Sequence, residues 1–79
     1  MARLKMTSTN RSGETFDVRG ILVDPSGANW VCVIVDAAGN TVFSARGSDA
    51  VSRYFPIQDT WVGVNITTAT ALTAVLIYY

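Results

Sequence analysis

The sequence predicts an all-β domain, a small antiparallel β-sandwich or barrel of about six to seven short strands. Two observations carry that expectation. Runs rich in β-branched and aromatic residues recur along the chain, as WVCVIV, TVFS, WVGVNI and AVLIYY, and such residues suit a pleated, half-buried surface. Clusters of turn formers, DPSG, DAAGN and ARGSD, separate the runs at intervals of about eight to twelve residues. No stretch requires a helix. ATALTAVL admits one, but the β-branched and tyrosine residues that follow it favour a strand.

In chain order, Ala2–Met6 sets Arg3 and Lys5 against Leu4 and Met6, which predicts an edge strand or an extended arm. Thr7 to Glu14 contains no large apolar residue and predicts an exposed loop. Residues 1–14 are therefore expected to form an N-terminal arm or edge strand, and 15–79 a single β domain. Thr15–Val23 reads as a strand, with Gly20 as a bulge or a close backbone contact. Asp24-Pro25-Ser26-Gly27 has the residues of a tight turn, so a three-stranded meander is expected to follow. Its last two strands form a hairpin, WVCVIVDAAGNTVFS, in which Asp36 accepts turn N–H groups and Gly39 takes the left-handed conformation. An apolar run such as Trp30–Val35 needs cover on both faces, which predicts this hairpin as the centre of the sheet.

Ala50–Phe55 reads as the next strand, ended by Pro56. Thr60–Ile66 follows as another, with Trp61 beside Gly63 offering a ring over bare backbone or an approach for another subunit. Thr67–Thr70 reads as a turn. Ala71–Tyr79 is apolar on both faces, so it must be paired on both sides or buried in an interface.

Length and composition bound the function. With 79 residues there is room for one core, and a domain this small buries only about 60% of its unfolded surface. Yet 49% of the residues are hydrophobic and 15% charged, against roughly a quarter charged in ordinary domains. This predicts surface covered by further copies or by a larger partner. Six basic and six acidic residues are scattered singly, leaving no basic stripe for nucleic acid. No run approaches the roughly 20 apolar residues of a membrane span. The basic start has no apolar segment behind it, so no signal peptide is expected.

Catalytic chemistry is equally thin. There is no histidine, which removes the commonest general base and transition-metal ligand. Cys32 lies between two valines and reads as a small buried hydrophobe. Asp24, Asp36, Asp49 and Asp59 read as turn acceptors, not calcium ligands. The expectation is no catalytic residue, no metal and no cofactor. Trp30, Trp61, Tyr54, Tyr78 and Tyr79 could stack on sugar rings if exposed, as in a carbohydrate-binding β module, but core or interface packing is the expected use of at least the two tryptophans.

The order WVCVIVDAAGN, RYFPIQ, WVGVNITT and a closing Tyr-Tyr resembles the small β-sandwich virion structural proteins of tailed bacteriophages. The resemblance spans Thr15 to Tyr79 and implies a non-enzymatic capsid decoration (cement) protein. Such a protein is made in the host cytoplasm and incorporated into the virion, typically as a homotrimer binding the major capsid protein. A tail or head-fibre component is the neighbouring alternative. The residues expected at interfaces are Arg3 and Lys5 in the arm, Trp61 and Gly63, and Tyr78 and Tyr79 at the end.

Overall fold

The computed structural model describes residues 3–6 and 10–79, with side chains described from Gly13 onward and at Arg3. Six strands are present: β1 (Arg3–Met6), β2 (Asn10–Pro25), β3 (Trp30–Val35), β4 (Thr41–Gly47), β5 (Arg53–Thr70) and β6 (Leu72–Tyr78). They form one antiparallel sheet in the order β1-β6-β2-β5-β3-β4, so the expected all-β antiparallel class is what the chain adopts.

The arrangement differs from the expected meander. β5 lies between β2 and β3, and the segment after Pro25 therefore crosses over instead of closing a hairpin. The centre of the sheet is the β2–β5 pair, and the β3–β4 hairpin ends at an edge. Both central strands are longer than the sequence suggests. β2 begins at Asn10, inside the polar stretch expected as a loop, while Thr7–Thr9 of that stretch lie outside the described residues. β5 runs through Pro56 and through Thr67–Thr70. Pro56 is tolerated because it sits where the β2–β5 register slips, between the Val18–Asp59 and Gly20–Pro56 pairs, and bulges accept a residue without an N–H.

These irregularities set which side chains are buried. In β2 the buried positions change phase from Phe16 and Val18 to Ile21 and Val23 at the slip by Gly20. In β5 they change from Trp61 to Val64 and Ile66 across Gly63, which has φ 80°. Bulges bend strands and re-aim their side chains. Both halves of each long strand thus join one cluster with Trp30, Cys32, Ile34, Val75 and Ile77. The sheet curls enough for β3 and β6 to touch, although two strands separate them in the ladder.

The hairpin turn forms as its residues dictate. One Asp36 carboxylate oxygen accepts the N–H groups of Ala38 and Asn40 at 3.0 and 2.9 Å, and Gly39 has φ 86°. The turn folds back on β5, where the Ala37 N–H donates to the Val62 carbonyl at 2.8 Å. Cys32 is buried. β6 is paired on both sides, by β1 and by β2, which meets the requirement of its apolar sequence.

Candidate functional site

Two surfaces stand out, a sheet face and a sheet edge. The face is built by β1, β6, β2 and β5 on the side opposite Ile21, Val23, Val75 and Ile77. Register fixes its rows. Arg3, Tyr78, Gly20 and Pro56 lie side by side, the next row holds Leu76, Leu22 and Tyr54, and the next Ala74 and Asp24. A Cβ at Gly20 would occupy the space taken by the phenol end of Tyr54. Its absence lets the Tyr54 ring lie down along the sheet, with 51% of the residue still exposed. Tyr78 meets it edge-on, with ring centroids 6.0 Å apart and planes at 64°.

Beside this aromatic corner, Arg3, Asp24, Thr73, Ala74 and Leu76 line an open cleft of about 410 Å³. The Ser52 hydroxyl donates to Asp24 at 3.0 Å and orients the carboxylate. Burial pushes the Cys32 thiol up to about 11, which keeps it protonated at neutral pH. Among the described residues no group of three His, Cys, Asp or Glu side chains converges.

The edge is β4, whose seven residues pair only with β3 among the described strands. Arg46 is its one charge. The opposite edge, β1, has four residues and carries Arg3 and Lys5. Charged residues and shortness are what protect an edge from pairing with another chain, so β1 is guarded and β4 is open.

The interface residues expected from the sequence fall in different places. Arg3 is exposed on β1, and Lys5 pairs with Leu76, its side chain lying outside the described residues. Within the stretch expected as an arm or edge strand, Arg3–Met6 is an edge strand and Asn10–Gly13 opens β2, while Ala2 and Thr7–Thr9 lie outside the described residues. Trp61 is 1% exposed and belongs to the core, with its indole N–H donating to Asp59 at 3.1 Å. Gly63 is covered by the chain's own Ala37, so neither offers a surface. Tyr78 is half-buried in the aromatic corner, and Tyr79 packs edge-on against Phe16 with centroids 4.9 Å apart. Asp24 and Asp59 lie within strands, not at turns.

Tyr54 was raised by the sequence only among the aromatics that could stack on a sugar, and the open β4 edge was not expected from it. Gly20 was the available signal for the first, a glycine among bulky strand residues. No protein-family model, curated protein or solved structure matches this chain.

Proposed function

We propose that the chain is a non-enzymatic virion structural protein, a capsid decoration (cement) protein that oligomerises and binds neighbouring subunits of the major capsid protein. The observation that supports this reading is the open β4 edge. The outward backbone groups of this seven-residue strand, which has one charge and pairs on its other side with β3, form a template for a strand from another chain. With β1 short and charged, β4 is the edge left to take an extended strand from a neighbouring subunit. The resemblance favours three copies. A tail or head-fibre component would use the same edge.

The low charge of the chain, 15% of its residues, agrees with a surface that is partly covered when assembled. Light scattering at micromolar concentration tests the reading. The mass should exceed that of one chain, and Ser44→Lys, an exposed change on β4, should return it to one chain with unchanged melting. A clean wild-type monomer, or an oligomer untouched by Ser44→Lys, would overturn assembly through this edge.

A further inference from the structure

We infer that the outer face of β1, β6, β2 and β5 is a saccharide-binding site, with Tyr54 as its stacking platform and Arg3 and Asp24 as its hydrogen-bonding groups. This goes beyond the assembly reading and uses a different surface. Three features converge on it. The first is the lie of Tyr54. A ring held along the sheet by the missing Cβ of Gly20, and 51% exposed, presents one flat π face to solvent. The negative face of an aromatic ring attracts the slightly positive C–H groups on the apolar side of a pyranose.

The second feature is Tyr78, which stands against Tyr54 at 64° and gives the platform a wall. The third is the adjoining cleft of about 410 Å³, which Arg3 and Asp24 both line. That volume is within the usual range for small-ligand sites. Asp24 lies one strand across and one row along from Tyr54, a backbone separation of roughly 8 Å from strand spacing and rise. A disaccharide spans platform and cleft together.

The mixed charge selects the class of sugar. Asp24 only accepts and Arg3 only donates, so together they suit hydroxyl groups, which do both. Among the described side chains that line it, the opening carries one charge of each sign, which favours a neutral hexopyranose over a sulfated or carboxylated one. Trp30 and Trp61 have no part in this, being 0% and 1% exposed.

Chemical-shift titration of the whole chain with cellohexaose and, separately, maltohexaose tests the site. At least one sugar should shift Tyr54, Tyr78 and Leu76 together, and which one responds distinguishes the two linkages. Tyr54→Ala should weaken binding by about tenfold or more, Tyr54→Trp should retain it, and Asp24→Asn should weaken it less. Gly20→Ala, which lifts the ring without changing its chemistry, should also weaken binding. Silence toward both sugars, or shifts that survive Tyr54→Ala in a folded spectrum, would overturn the site and leave the β4 edge reading untouched.

Discussion

The two tryptophans occupy matching positions in the core and differ in one bond. Trp30, on β3, is 0% exposed and Trp61, on β5, is 1% exposed, and both belong to the same cluster. The Trp61 indole N–H donates to the Asp59 carboxylate at 3.1 Å, whereas the Trp30 indole N–H is buried with no partner among the described residues. Leaving a buried donor unpaired costs about 1–3 kcal/mol. The difference follows from what stands beside each ring. Asp59 is two residues from Trp61 on the same face of β5, while Trp30 lies against Gly47 of the edge strand, which has no side chain to offer. The Trp30 half of the core is held by fit alone, and the Trp61 half by fit plus a charge-assisted hydrogen bond.

Alkaline pH should load the Trp30 half most. Cys32 lies two residues from Trp30, and burial raises its thiol from 9.0 to about 11. The unfolded chain releases that proton above pH 9 and the folded chain holds it, so the stability is intact below pH 9 and lost as pH rises toward 11. The loss reaches about 2–3 kcal/mol. Urea midpoints at pH 8 and 11 should show it in the wild type and much less of it in Cys32→Val; equal losses would place the alkaline sensitivity elsewhere.

Gly47→Ala comes next. A Cβ there would fall inside the Trp30 indole, and a buried ring has nowhere to go, so overpacking should cost about 1–3 kcal/mol. Gly20→Ala meets the Tyr54 ring in the same way, but that ring can swing into solvent and the cost should stay under about 1 kcal/mol. Melting curves of the two variants that coincide would contradict this contrast. The finest comparison is Trp61→Phe against Trp30→Phe. Both lose similar ring volume, and only the first loses a hydrogen bond, so Trp61→Phe should be less stable by about 1–2 kcal/mol. Equal stabilities would mean that the Asp59 contact contributes nothing.

What could be read in the sequence was local. DAAGN specifies its own turn through Asp36 and Gly39, Cys32 announces burial by its valine neighbours, and the glycine at 20 flags a close approach before its partner is known. Pairing between distant segments could not be read. Nothing in Thr15–Val23 says that β5 and not β3 lies beside it, because both neighbours offer similar apolar faces. Pro56 misleads for a related reason: its missing N–H ends a strand only if the ladder needs a bond there, and the slip opposite Gly20 removes that need. The Tyr54 platform depends on the same register, since only the pairing of β2 with β5 brings that ring over Gly20.

The strand order also decides how the chain reaches this structure. Among the described strands only β3 and β4 are both consecutive and paired, and a hairpin of that kind closes in about 1–10 μs. Every other ladder joins distant segments, with Arg3 against Tyr78 as the extreme, and each must pay loop-closure entropy before its contacts reward it. Topologies dominated by such pairings fold in milliseconds to seconds. The β3–β4 hairpin is therefore the natural nucleus, and β5 must find both it and β2 before the core can shut. Until then the apolar β6 has no partner on either side, and newly made chains are most exposed to one another during that interval.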